Sequence, residues 1–228
     1  MLKKLNNIGD AAIVCDFGDE VNQQVNNEVI KLFQHIKKKN SLNILPGILN
    51  CTPSYNKLLI SFDLRLTSSK EIHNFINSVD LTILKLDQKV KEWIIPICYN
   101  YELDLKNIVK ELKLSKEEII NYHLNTTFFI YMIGFVPGHP FMGDLDSKLF
   151  LNRLKTPRVR VPPGSVGIVE KFCNIYPYES PGGWNIIGRT PVKLFNNKDM
   201  LKPCLLSPGD TVKFKSISKK EFNNYQNE

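Results

Sequence analysis

The chain has 228 residues, 43% of them hydrophobic, enough for one large domain or two small ones with separate cores. Its net charge of +7 comes mostly from lysines dispersed among Asp and Glu, as in "IKKKN" and "KSISKKEF", with no zinc finger, RNP signature or aromatic-interleaved basic motif; nucleic acid is therefore not the expected partner. The opening "MLKKLNNIGDAAIV" has no continuous apolar stretch, "FFIYMI" falls far short of a membrane span, and the five cysteines are widely spaced with no C-x-x-C. The expectation is a cytoplasmic chain without a membrane partner, its cysteines buried thiols rather than disulfides or zinc ligands.

In chain order, "AAIVCDF" reads as a strand, and "EVNQQVNNEVIKLFQHIKKK" as a helix with Val21, Val25, Leu32, Phe33 and Ile36 on one face. "NILPGIL" and "KLLISFD" read as strands separated by a turn at "NCTPSYN". "SSKEIHNFINSV" then opens a helix with the Ser68-x-x-Glu71 capping box, and "KEWIIPI" reads as a closing strand. The order β-α-β-β-α-β is that of a ferredoxin-like split βαβ unit over residues 1–97.

Two short helices follow, "DLKNIVKEL" and, after a second capping box at Ser115-x-x-Glu118, "KEEIINYHL", expected to be a connector over 98–126. From 127 to 228 the helical period disappears. Nine of the twelve glycines and ten of the thirteen prolines lie between Gly134 and Gly209, separated by short apolar runs such as "SVGIV", "WNIIG", "VKLF" and "TVKFKSI". That is the punctuation of a β-barrel or sandwich with shaped loops, so the expected class is α+β with two domains.

Four of the five arginines, Arg153, Arg158, Arg160 and Arg189, fall in this second half. The planar fork of arginine suits carboxylate or phosphate, with a loop salt bridge as the plain alternative for any one of them. In "YESPGGW", Gly182 and Gly183 permit close approach, Glu179 supplies a carboxylate, Ser180 a hydroxyl and Trp184 a flat wall. His139 in "PGHP" is a candidate proton carrier, with packing as its plainer role; Ser165 in "PPGSVG" is outside any G-x-S-x-G elbow, and a turn-stabilising hydroxyl is its plainer role. No phosphate-loop, dinucleotide or metal-ligand spacing is present, so no metal site is expected.

"GFVPGHPFMGDLD", "TPRVRVPPGSVGI", "YPYESPGGWNIIGRTP" and "LLSPGDTVKF", with "IGDAAIVCDFGD" and Asn26 upstream, resemble the motifs of one family across almost the whole chain. It contains the B subunit of 5-oxoprolinase, allophanate hydrolase subunit 1 and the KipI-type inhibitor of a sporulation histidine kinase. The resemblance implies a small α/β domain followed by a cyclophilin-like β-barrel. It also implies partners, a homologous C subunit and an A subunit, that together hydrolyse 5-oxoproline to glutamate with ATP and magnesium used by the complex. Inhibition of a histidine kinase, or allophanate and urea metabolism, are the alternative roles. Under the oxoprolinase reading Glu179, Arg189 and His139 form the catalytic set. Arg158, Arg160, Ser165, Ser180, Gly182, Gly183 and Trp184 bind substrate, with Arg158, Arg160 and Arg189 taking anions. The sequence departs from the family at His139, where an aromatic is usual, and at Asp144, where glycine is usual.

Overall fold

The structure, a computed structural model, describes residues 2–86, 90–101 and 103–225. They form two compact units, one ending at Lys89 and one beginning at Val90.

The first unit contains β1 (Lys4–Asn7), β2 (Ala12–Asp16), α1 (Gln23–Ser41), β3 (Ile48–Pro53), β4 (Lys57–Phe62) and α2 (Ser69–Ser78). Asn22 starts α1 by accepting the Val25 N–H at 2.9 Å, and the Ser68–Glu71 capping box starts α2. Alternation in β4 turns Leu58, Ile60 and Phe62 inward, where they meet Ile13 and Cys15 of β2, Leu32 and Ile36 of α1, and Ile72 and Ile76 of α2. The sheet is antiparallel in the order β1-β2-β4-β3.

The second unit contains β5 (Glu92–Ile97), α3 (Leu105–Leu112), α4 (Lys116–Asn125), β6 (Phe128–Ile133), β7 (Pro140–Gly143), β8 (Arg158–Val161), β9 (Ser165–Val169), β10 (Phe172–Ile175), β11 (Ser180–Gly182), β12 (Asn185–Arg189), β13 (Thr211–Ser216) and α5 (Lys219–Tyr225). Seven strands run in the order β12-β9-β10-β7-β6-β13-β5, and β8 and β11 pair as a small sheet of their own. The two edges of the seven-stranded sheet meet. Cys98, just past β5, donates its N–H to the Arg189 carbonyl at 2.7 Å and accepts the Arg189 N–H at 3.0 Å, making a nearly closed barrel.

Two sequence expectations are corrected here. "KEWIIPI" does not close the sheet of the first unit: it is β5 and pairs in parallel with β13. The place beside β2 that a closing strand would take is held by β1, whose "KLNN" carries no alternation worth reading. Alternating side chains mark a half-buried strand without naming its partner, which is why the expected boundary at 97 falls one strand late. The helices expected as a connector also belong to the barrel, since Leu105, Ile108 and Ile119 lie in one core with Ile130, Met142, Val166, Ile175 and Val212. "VKLF" contributes only an isolated bridge, Phe195 to Cys204.

His123 on α4 lies deep in that core. It is hydrogen-bonded through Nδ1 to the Tyr99 hydroxyl at 2.7 Å, has the Cys173 sulfur 3.8 Å from Nε2, and packs against the rings of Phe128 and Phe214. Burial lowers its pKa to about 3, so it is a neutral structural side chain.

Candidate functional site

Register brings several of the sequence-selected residues together. Ser165 is paired with Arg189 across β9 and β12, and its carbonyl accepts the Tyr176 N–H at 2.9 Å on the other side. Asn174 on β10 is paired with Gly167 of β9 and with Phe141 of β7. Two residues further along those strands, His139 and Tyr176 meet ring to ring at 5.0 Å. Side chains directly opposite in antiparallel strands share a face. Arg189, Ser165, Tyr176 and His139 therefore form one row across four strands, beside a second row of Gly167, Asn174 and Phe141. The intervening Val166, Ile175 and Met142 point the other way, into the core.

Arg189 ends the row in a fixed pose. Its Nε and Nη2 donate to the Pro163 carbonyl at 3.2 and 2.9 Å, and its plane lies 5.1 Å from the Tyr101 ring centre and 5.6 Å from that of Phe222. The opposite edge of the guanidinium stays available, on the wall of a cavity of about 410 Å³. The lining includes Pro163, Gly164, Pro177, Thr190, Lys193 and Tyr225 as well as Arg189, so among the described residues it holds two cations and no carboxylate. Gly164 is required there: its φ is +78°, and an added Cβ would overlap the Thr190 carbonyl. A larger cavity in the first unit, about 550 Å³, is lined by Lys3, Glu20 and Glu28 among others and contains none of the selected residues.

The other selected residues are placed differently. Arg158 finds its anion inside the chain, pairing with the buried carboxylate of Asp104, whose second oxygen accepts the Ile186 N–H at 2.7 Å. Arg160 pairs with Glu179 at 3.5 Å, and both are largely exposed (78% and 56%). Such a surface pair contributes about 0–1 kcal/mol. Glu179, expected to share a pocket with Arg189, thus stands beside Arg160 and does not line the Arg189 cavity. Gly182 lies against the Tyr176 hydroxyl, where an added Cβ would clash; the Gly183 carbonyl accepts the Leu154 N–H at 2.8 Å; Trp184 meets Phe141 edge-on at 5.9 Å. Ser180 is buried in β11 opposite Val161. The sequence reading missed Asn174 and Tyr176, since "FCNIY" signals nothing without the register, and it missed Asp104, which lies far from Arg158 in the chain.

His139 is 1% exposed and stacks on Phe141 at 4.7 Å, with Tyr176 and Phe135 edge-on. It fills the position of an aromatic ring, and burial lowers its pKa to about 4. The unfolded chain takes up this proton near pH 6.5 but the folded chain only near 4, so the histidine costs stability as pH falls through that window, by up to about 1.4 kcal/mol per pH unit. His139→Phe is expected to raise the urea midpoint more at pH 5 than at pH 8. An equal loss of midpoint at both values would show that the imidazole nitrogens, not the ring, hold the site together. Asp144, where the resemblance leads to an expectation of glycine, adopts the left-handed φ of 69° and accepts a hydrogen bond from the Tyr131 hydroxyl at 3.1 Å.

Among the described residues no group of three His, Cys, Asp or Glu is placed to hold a metal ion. The Arg158 and Arg160 forks face carboxylates of the chain itself. Among the described residues these two arginines are therefore not placed for a nucleotide phosphate, and no step through ATP or magnesium is assigned to them. No helix among the described residues is long and apolar enough to cross a membrane.

Residues 3–206 match the family model described as carboxyltransferase domain, subdomain C and D. The chain belongs to this family. It is 34% identical to the B subunit of 5-oxoprolinase from Bacillus subtilis strain 168, over 99% of this chain and 97% of that protein, in agreement with the family expected from the loop motifs. The solved structure of TTHA0988 superposes on 92% of the chain with a TM-score of 0.80 and 29% identity, and this chain spans 40% of its length. The Kluyveromyces lactis urea carboxylase shares the fold, with a TM-score of 0.76 and 19% identity over 96% of this chain and 22% of its own.

Proposed function

We propose that this chain is the B subunit of an ATP-dependent 5-oxoprolinase complex, which hydrolyses 5-oxo-L-proline to L-glutamate in the cytoplasm and needs its A and C subunits for turnover. The end-to-end match to the Bacillus subtilis B subunit is the observation that carries this reading. On the same reading the barrel is cyclophilin-like and the first unit is a modified ferredoxin-like sheet with β1 in the place of the closing strand.

A five-membered lactam is a stable amide, and the free energy for opening it is assigned to ATP consumed by the assembled complex. The part proposed for this chain is to hold the substrate. Its carboxylate sits on the free edge of Arg189, with Lys193 as the second cation on the wall of the same cavity. The contacts to Pro163, Tyr101 and Phe222 fix the guanidinium before substrate arrives, so little side-chain freedom is lost on binding.

Arg189→Lys tests this assignment, because lysine keeps the charge and loses the fork. The reconstituted complex is expected to lose at least about tenfold in kcat/KM for 5-oxoproline, about 1.4 kcal/mol of transition-state binding, while still assembling. Parental turnover by a folded, assembled lysine variant would remove Arg189 from the substrate site.

A further inference from the structure

Four buried residues of the barrel carry hydrogen-bonding atoms that no protein group satisfies: both ring nitrogens of His139, the hydroxyls of Ser165 and Ser180, and the side-chain oxygen of Asn174. Each of these residues is more than nine-tenths buried. Native structures hold few such atoms, because each one forfeits its hydration without return.

These four are not scattered. They surround Tyr176. His139 meets its ring, Ser165 is its cross-strand neighbour, and the Asn174 side chain hydrogen-bonds its phenol. Ser180 pairs with Val161, which packs on Tyr176, and Gly182 of the same strand lies against the phenol oxygen. Three neighbouring strands of the barrel, at His139, Ser165 and Asn174, and β11, at Ser180, thus place their unsatisfied atoms around one tyrosine.

The chemistry of the set is narrow. A hydroxyl donates and accepts, an amide oxygen accepts, and a neutral imidazole donates through one nitrogen and accepts through the other. None of the four bears a charge at neutral pH; the charges that act on the Tyr176 phenol, Arg153 and Arg158, lie outside the set, and Arg158 is already paired with Asp104. Phe141 and Trp184 add flat apolar walls. A neutral planar group with N–H and C=O on one edge satisfies donors and acceptors alike. Arg189 is the cross-strand neighbour of Ser165, its backbone about 5 Å away.

We propose that Ser165, Asn174, Tyr176, His139 and Ser180 form a binding site for a small planar amide, either the lactam of a cyclic amino acid or an open ureido group, with the β8–β11 pair closed over it. The lactam source rests on the function proposed above; the amide site itself does not. Ligand entry requires β8 and β11 to part from Tyr176.

The test is calorimetric titration of the full chain with three probes: 5-oxoproline, biuret as the open ureido compound, and cyclopentanecarboxylate, which has the ring and the carboxylate but no amide. One amide is expected to bind at least tenfold more tightly than cyclopentanecarboxylate. Ser165→Ala and Ser180→Ala are each expected to weaken that amide severalfold or more, and to raise the melting temperature by roughly 1–3 °C, because an unsatisfied buried hydroxyl is removed. The proposal is overturned if neither amide outbinds cyclopentanecarboxylate. It is overturned equally if both alanine variants keep parental affinity, or melt lower than the parent, since the hydroxyls are then satisfied within the fold. Biuret binding with 5-oxoproline rejected would retain the amide site and remove the 5-oxoprolinase reading. Unchanged KM for 5-oxoproline in a complex carrying Ser165→Ala would retain that reading and remove the site.

Discussion

Asp104→Ala is expected to cost roughly 3 kcal/mol and to lower the melting temperature by about 6–12 °C. The carboxylate is 2% exposed and makes two contacts that nothing else replaces, the ion pair with Arg158 and the hydrogen bond from the Ile186 N–H at 2.7 Å. Its own N–H donates to the Ile186 carbonyl at 3.2 Å, so one residue ties the start of α3 to β12 and, through Arg158, to β8. Alanine leaves the Ile186 N–H without an acceptor in a place water does not reach and leaves the guanidinium without its anion. Arg158 remains 27% exposed and can recover part of its hydration, which holds the cost to the low end of the range for a broken buried pair. Asp104→Asn keeps an oxygen for Ile186 and gives up the charge, with an expected loss of about half as much. Thermal melts of the two variants check both values. If Asp104→Ala melts within about 2 °C of the parent, the pair holds nothing together, and Arg158 returns to the set of arginines open to an external anion.

Local chemistry is readable from the residues, and pairing is not. Both capping boxes, Ser68 with Glu71 and Ser115 with Glu118, form as their spacing requires, because the interaction closes within one helical turn. "SVGIV" coincides with β9, bounded by the turn at Gly164. The strand "KEWIIPI" is also present, but its partner β13 lies at the far end of the chain and nothing in its alternation identifies it. Short strands such as "RVRV" and "FCNI" escape because the burial of their side chains is set by the barrel around them.

The site divides in the same way. His139, Ser165 and Arg189 stand out through their loops, and register unites them in one row. Asn174 and Tyr176, which complete the row, become visible only once β10 is aligned between β7 and β9. Arg158 and Glu179 are right in residue type for an anion site, yet each meets a charge of the opposite sign in the chain itself. Composition reports that arginines and a carboxylate are concentrated in the loops; only the three-dimensional placement reports which of them answer one another.

The second large effect is the dependence of turnover on this chain. On the proposed reading, in which this chain holds the substrate and its partner subunits supply the rest, it is expected to be inert alone and indispensable in the complex. Loss of the whole substrate cavity removes positioning as well as binding, and effects of that kind reach several powers of ten, so omission is expected to reduce the rate at least about 100-fold. The direct measurement is ATP-dependent release of glutamate from 5-oxoproline by the A and C subunits, with and without this chain, and with allophanate offered in parallel. The account predicts glutamate release only when all three are present, and no consumption of allophanate. Equal glutamate release without this chain, robust turnover by this chain alone, or consumption of allophanate in place of 5-oxoproline would contradict it.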